Sequence, residues 1–327
     1  MLIATTRNLE SRQRPVVDHG NQPDPQDWFG EEFGDGLRFA MATPAKGGSD
    51  WDVRLLVEEG SISSGIESAL RAPRGACVCY VHGINKRFEQ TLEQASEIER
   101  SYGVDVFLFS WPSFIVPTAN DPEGLEGLVE RYRRARRNAE ASGDCFDDFL
   151  QRIVQRAPPR STSSPTVNLL LHSEGNFLLE SYIKSAAFSG DEVRAFTNII
   201  LSQADLDYDG HRECLNRLAS AGSSVYVTIN TNDSTLRKAE KPNDGKRRLG
   251  NTRPEAVGAS ASAQYFDFTG GQGVGDTHRL WDTKTINENP VVSAFFSAIL
   301  TGKAVEADPT FRAQFFVLSQ IWPGPPV

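Results

Sequence analysis

From residue 76 onward the chain alternates short apolar runs with longer stretches of helical period. Cys77-Val78-Cys79-Tyr80-Val81 is apolar throughout, residues 104–109 form a second buried run, and Val167-Asn168-Leu169-Leu170-Leu171 forms a third. Runs of this length without polar alternation are what strands covered on both faces require. Helical patterns predict helices over 88–102, 124–157, 176–186 and 210–219, the second in two pieces broken near Ser142-Gly143-Asp144. Further strands are expected over 198–201, 225–229 and 264–268, with a last amphipathic helix over 291–300. Strand and helix in alternation predict an α/β fold, with a mostly parallel central sheet flanked by helices. No internal repeat is present.

Before residue 70 the texture differs. Strands are predicted over 2–6, 37–42 and 51–57. The stretch 8–35, rich in Pro, Gly, Asp and Gln, is expected to wrap the surface. Residues 240–262 read as a polar loop, mobile or at the edge of a lid. The tail 309–327 carries scattered apolar residues and is expected to pack back on the body. The chain is therefore expected to be a single domain. It has N-terminal strands and a surface loop (1–70), a core (71–302) with a helical insert at about 113–165 beside or over the site, and a tail (303–327).

The strongest chemical signal is Ser173, between the third apolar run and a helix, in Leu171-His172-Ser173-Glu174-Gly175-Asn176. A serine at a sharp strand-to-helix turn is lifted out of the packed layer. The helix start beneath it offers free N–H groups to a developing oxyanion. Gly175 leaves room for the turn, whereas Leu171 occupies the first glycine position of the usual G-x-S-x-G pattern. A serine hydroxyl needs a base, and the base an orienting acid, in the chain order Ser, acid, His. Only His211 and His278 follow Ser173. His278 is preferred, because it sits in a loop after a late strand and a glycine-rich stretch; taken alone it reads as an ordinary loop histidine. Asp233, after the 225–229 strand, is the first choice of acid, although Asn232-Asp233-Ser234 equally suits a helix cap. Asp205 is the second choice. His82-Gly83-Ile84-Asn85 follows the first apolar run. It is a turn whose Ile84 or Asn85 N–H would join the Glu174 N–H in an oxyanion hole, or simply a strand-end turn.

Charge and composition narrow the classes. A formal net charge of -9 argues against nucleic acid as a partner. No stretch approaches the length of a transmembrane helix, and the N-terminus lacks a leader's apolar core, so a cytoplasmic protein is expected. Of the four cysteines, Cys77, Cys79, Cys145 and Cys214, the first two alternate on one face of an expected buried strand, which suits reduced core cysteines better than a disulfide framework. Asp205-x-Asp207-x-Asp209-Gly210 copies half of a calcium loop, but Asn216 replaces the closing Glu. The glycines of 270–275 lack the Lys-Ser/Thr of a phosphate loop. Five arginines between 131 and 137 spread around a helix and read as a solvated or salt-bridged face.

Taken in order, Leu2-Ile3-Ala4-Thr5-Thr6-Arg7-Asn8, Tyr80-Val81-His82-Gly83-Ile84-Asn85, Phe109-Ser110-Trp111-Pro112-Ser113, His172-Ser173-Glu174-Gly175-Asn176, Asp205-Leu206-Asp207, Asn232-Asp233 and Arg248-Leu249-Gly250 resemble the bacterial alpha/beta-hydrolases grouped as domain of unknown function 900. The resemblance implies an alpha/beta-hydrolase fold with added N-terminal strands. It also implies Ser173 as nucleophile, Asp233 as acid and His278 as base. From these residues the expected function is a serine hydrolase acting on a small-molecule carboxylic ester or related acyl bond, without metal or organic cofactor. Two residues depart from that family. Leu171 replaces a small residue and is expected to strain the turn. Glu174 replaces a usual methionine and is expected to oppose an oxyanion unless it points away or pairs with a cation. Alternative expectations are a hydrolase-fold module that binds a ligand or partner, or an acyltransferase using the same triad. The acyl and alcohol groups and the oligomeric state are not specified.

Overall fold

The computed structural model describes residues 1–13, 25–45, 50–160, 164–254, 260, 262–306, 308–314 and 316–317. The chain opens with β1 (Leu2–Gln13), β2 (Pro25–Pro44), β3 (Trp51–Leu56) and α1 (Glu59–Leu70). There follow β4 (Ala76–Val81), α2 (Phe88–Tyr102), β5 (Asp105–Ser110), α3 (Gly124–Ala141), α4 (Gly143–Arg156), β6 (Thr166–His172) and α5 (Gly175–Lys184). Next come β7 (Asn198–Ser202), α6 (His211–Ser220), β8 (Ser224–Ile229), α7 (Ser234–Ala239) and β9 (Ala263–Asp267). The last elements are α8 (Thr283–Glu288), α9 (Pro290–Leu300), α10 (Pro309–Gln314) and β10 (Phe316–Val317).

The strands form one ten-stranded sheet in the order β10-β9-β8-β7-β6-β4-β5-β1-β2-β3. All neighbours from β9 through β5 to β1 are parallel, while β2 and β3 at one edge and β10 at the other run antiparallel. Successive strand residues point to opposite faces, which explains the unbroken apolar runs. Cys77, Cys79, Val81, Leu169 and Leu171 pack with residues of α1, α4, α5 and α6, whereas Val78, Tyr80 and Leu170 pack with residues of α2 and α9. Each fully buried Val or Leu side chain among them stabilises the fold by about 1.5–3 kcal/mol. All four cysteines are free.

Four expectations need correction. The stretch 8–35 is not a surface wrap where it is described: β1 and β2 pair out to Gln13 and Pro25. The anchor is aromatic, since Phe29 is buried and both Trp28 and Phe29 set their rings edge-on to Phe88 at 5.1 Å. Of the insert, α4 belongs to the helical layer, with Phe146 and Phe149 against Phe109 at 5.0 and 5.1 Å. Of its two helices, α3 is the one that reaches the serine turn, through Tyr132 and Arg136 on Glu174. The loop 240–262 is held in its first half, because Arg248, Leu249 and Gly250 are buried; residues 255–259 and 261 lie outside the described residues. Finally, α10 follows the helix expected to be last, and its Phe311 packs on Phe295 at 5.6 Å; residues 318–327 lie outside the described residues.

Candidate active site

Parallel strands deliver their ends to one side, so the segments after β4, β6, β8 and β9 meet at the carboxyl edge of the sheet, the usual ligand side of an α/β fold. Ser173 follows β6 directly and takes a left-handed φ of 54°. This backbone is held from both sides: its N–H donates to Ser202 O at 3.0 Å, and its carbonyl accepts from Asn176 N–H at 3.1 Å and Asp205 N–H at 3.2 Å. A β-carbon at Gly175 would meet the Val81 and His82 carbonyls at 2.8 Å, and one at Gly83 would lie 2.7 Å from the Ser173 β-carbon. The turn therefore needs glycine at those two positions. It needs none at Leu171, whose side chain lies buried in the core, so the expected strain at that position is absent.

The segment after β9 carries His278. The turns of Gly270, Gly273 and Gly275, all at positive φ, bring it back over the sheet edge. Asn230, just after β8, donates from Nδ2 to the carbonyls of Gly275 (3.2 Å) and Thr277 (3.0 Å). The His172 Nε2 lies 2.7 Å from the His278 carbonyl and donates to it, with the two rings 4.8 Å apart. His278 Nδ1 donates to Asp233 Oδ2 at 2.7 Å. The other oxygen of Asp233 accepts the N–H groups of Thr235 and Leu236, capping α7. The helix-cap reading and the acid reading of Asp233 thus each take one carboxylate oxygen. With Nδ1 as donor, His278 Nε2 is left bare. Among the described residues no hydrogen bond joins Ser173 Oγ to His278 Nε2, and Ser173 is 2% exposed.

The turn after β4 lies on the other side of Ser173. His82 Nε2 accepts the Trp111 N–H at 3.1 Å, so Nδ1 bears the proton and donates to Gly83 O at 2.8 Å. Its ring stacks on Trp111, and burial, then Arg7, push its pKa well below the usual imidazole value. His82 is a neutral structural residue here. Arg7, fully buried in β1, clamps the same turn through Nη2 to Lys86 O at 2.8 Å and Nε to Ser110 Oγ at 2.9 Å. The Asn85 N–H donates to Ser113 O at 3.0 Å, so it is not available as an oxyanion donor. Among the described residues the N–H groups of Ile84 and Glu174 have no protein acceptor.

Glu174 points away from the serine. It is buried, with Arg136 Nε 3.2 Å from Oε1, an ion-pair distance without hydrogen-bond alignment, and Tyr132 Oη 3.1 Å from Oε2. The Arg136 guanidinium also lies 3.5 Å over the Phe177 ring, so one of the five α3 arginines faces inward while Arg134 and Arg137 pair with Asp121 and Glu130. Asp205, the second-choice acid, meets no imidazole: Arg248 Nε donates to it at 2.6 Å. The half calcium loop is taken up by cations, Asp207 by Lys246 and Arg248, and Asp209 by Arg247. No group of three or more possible metal ligands occurs among the described residues. His211 is spent between Tyr208 O and Tyr265 Oη, at 3.0 Å from the latter. Asn230, His172, Tyr132 and Arg136 had no role in the sequence reading. Only His172, inside the serine motif, carried any local signal. A cleft of about 830 Å³ lined by Met1, Leu56, Ser64 and Glu99 lies at the opposite edge of the sheet from this chemistry.

The family model described as "Alpha/beta hydrolase of unknown function (DUF900)" matches residues 58–300. The chain belongs to this family. The match takes in every residue of the site described above except Arg7. No curated protein sequence matches the chain. Among solved structures, esterase PE8 is similar at 14% identity and a TM-score of 0.36, over 70% of this chain and 94% of that one. Phospholipase PlaB from Legionella pneumophila is similar at 10% identity and a TM-score of 0.32, over 73% of this chain and 62% of that one. No helix among the described residues is long and apolar enough to cross a membrane.

Proposed function

We propose that the protein is a serine hydrolase that cleaves a carboxylic ester or a related acyl bond. The observation that carries this reading is the His278 Nδ1–Asp233 Oδ2 hydrogen bond of 2.7 Å, held on the sheet edge where Ser173 sits in its left-handed turn. Ser173 Oγ attacks the acyl carbon while its proton passes to His278 Nε2. Asp233 keeps the imidazole in the tautomer that can accept it and stabilises the imidazolium. The tetrahedral oxyanion takes hydrogen bonds from the Glu174 and Ile84 N–H groups. His278 then protonates the departing alkoxide, leaving an acyl ester on Ser173. Water, deprotonated by the same nitrogen, releases the acid. An acyltransferase would differ only in using another alcohol at this last step.

The near-complete burial of Ser173, with no hydrogen bond to His278, favours the alternative of a hydrolase fold kept as a binding module. Labelling by a fluorophosphonate separates the two. A hydrolase gains one covalent adduct on the peptide carrying Ser173, and Ser173→Ala abolishes it with the fold intact. A wild type that never labels, or a mutant that labels undiminished, overturns the proposal.

A further inference from the structure

The Tyr132 hydroxyl has three polar neighbours: Glu174 Oε2 at 3.1 Å, Asp205 Oδ2 at 2.9 Å and Asn243 Nδ2 at 2.8 Å. The Asn243 amide nitrogen donates, so the phenol oxygen accepts there. The phenol has one hydrogen and can satisfy only one carboxylate; the other contact needs a hydrogen on the carboxyl group itself. Arg248 claims Asp205, through Nε to Oδ1 at 2.6 Å and Nη2 to its carbonyl at 2.7 Å. Asp205 is therefore the ionised partner and Glu174 the protonated one.

The acid sits at a junction. From α3, Tyr132 and Arg136 hold Glu174, whose N–H is one proposed oxyanion donor. Two residues beyond Arg136 on α3, Asn138 Nδ2 donates to Pro112 O at 2.8 Å. The next residue, Ser113, accepts the Asn85 N–H on its carbonyl at 3.0 Å and the Lys86 N–H on its hydroxyl at 3.1 Å, fixing the turn that carries the other donor, Ile84. We propose that Glu174 is a positioning residue that works as a protonated acid: it clamps α3 to the serine turn, and α3 sets the spacing of the two oxyanion donors. The clamp itself stands on geometry alone; its effect on the oxyanion site rests on the function proposed above.

The groups facing Glu174 are Tyr132 and Arg136 from α3, Asp205 from the segment after β7, and Arg248, itself paired with Asp207, from the segment before β9. Burial, then Asp205, raise the Glu174 pKa well above the usual carboxyl value, against Arg136 and Arg248. Burial raises that of Asp205 too, but Arg248, above all, brings it below its usual value. One proton on Glu174 accounts for both directions. Opening α3 returns Glu174 to water, where it ionises. The clamp is therefore strongest at acidic pH and weakens as pH rises from the ordinary carboxyl value toward the raised one.

Hydrogen exchange of residues 124–141, followed by mass spectrometry and divided by intrinsic exchange, tests this. In wild type, protection should fall by up to about tenfold per pH unit across that window. Glu174→Gln keeps a donor and cannot ionise, so the fall should vanish. Glu174→Met, which neither donates nor ionises, should show low protection without the fall, and serves if the first variant does not fold. Constant protection in wild type, or the same fall in either variant, overturns the clamp. Fluorophosphonate labelling of wild type at the same pH values, taken relative to Glu174→Gln, which has the same triad, should slow in step with lost protection. A labelling rate that ignores it overturns the link to the oxyanion donors, and absent labelling in wild type refutes the nucleophile while leaving the exchange result to judge the clamp.

Discussion

Asp233 and Asp205 make an instructive pair. Each is buried, each follows a strand of the parallel sheet, and each lies in the interval where an acid for Ser173 was expected. Asp233 spends one oxygen on a helix cap and offers the other to an imidazole N–H, that of His278. Asp205 is met by a guanidinium and a phenol. A carboxylate facing an imidazole can stabilise charge that appears and vanishes. One already matched to a permanent cation has its charge spent on holding structure. What separates the two is the partner, and the partner is chosen by which neighbouring segment folds over each strand end: the glycine-rich loop over β8, the Arg248 segment over β7.

The largest expected contrast is in activity. Asp233→Asn should lower kcat by roughly 10⁴, the scale for losing a triad carboxylate. The α7 cap should survive, because Asn caps as well as Asp. His278→Ala should cost as much, and the double variant little more than either alone, since the two act as a unit. Additive losses in steady-state kinetics would break the pairing.

The second contrast is in stability. Asp205→Asn removes one of the two carboxylates that pair with buried Arg248 and should destabilise by about 3 kcal/mol in chemical denaturation, the low end of the range for breaking a buried pair, because Asp207 still faces the guanidinium. Its kcat per folded molecule should fall far less than that of Asp233→Asn. A 10⁴-fold loss here with unchanged stability would return Asp205 to the chemistry.

A third effect is the pH dependence of unfolding, where Asp205 and Glu174 act with opposite sign. The lowered pKa of Asp205 gives stability that is present above its unfolded value and lost as pH falls through the folded one. The raised pKa of Glu174 gives stability that is full below its unfolded value and lost as pH rises toward the folded one, at about 1.4 kcal/mol per pH unit within that window. Asp205→Asn should flatten the acid limb, and Glu174→Gln the alkaline limb, of a denaturation midpoint followed against pH.

The smallest effect is Tyr132→Phe, which removes one bridging hydroxyl. It should cost about 1 kcal/mol. Arg136→Met should cost a similar amount, through the lost Phe177 contact as much as the lost charge. A denaturation series that ranked either above Asp205→Asn would mean that the network is centred on α3 and not on Arg248.

Much of this was legible in the chain itself. The apolar runs set the parallel strands to within a residue or two, because a strand buried on both faces admits little polar substitution. The order Ser173, Asp233, His278 followed from strand position, and the close approach at Gly175 from the turn. What local sequence does not encode is contact between segments distant in the chain. The expected surface wrap at 8–35 became a long strand pair through Phe29 and Phe88. Asn85 lost its N–H to Ser113, and Glu174 turned from an expected threat to the oxyanion into an acid under α3. In each case a backbone or side-chain group took the partner that burial left within reach, since an unpaired buried polar group costs more than any local preference gains. Periodicity and turn chemistry therefore determined the sheet and the three residues proposed for the chemistry. Only the packed structure decided which hydrogen-bond donors remain free, and which of two equivalent-looking aspartates faces a histidine.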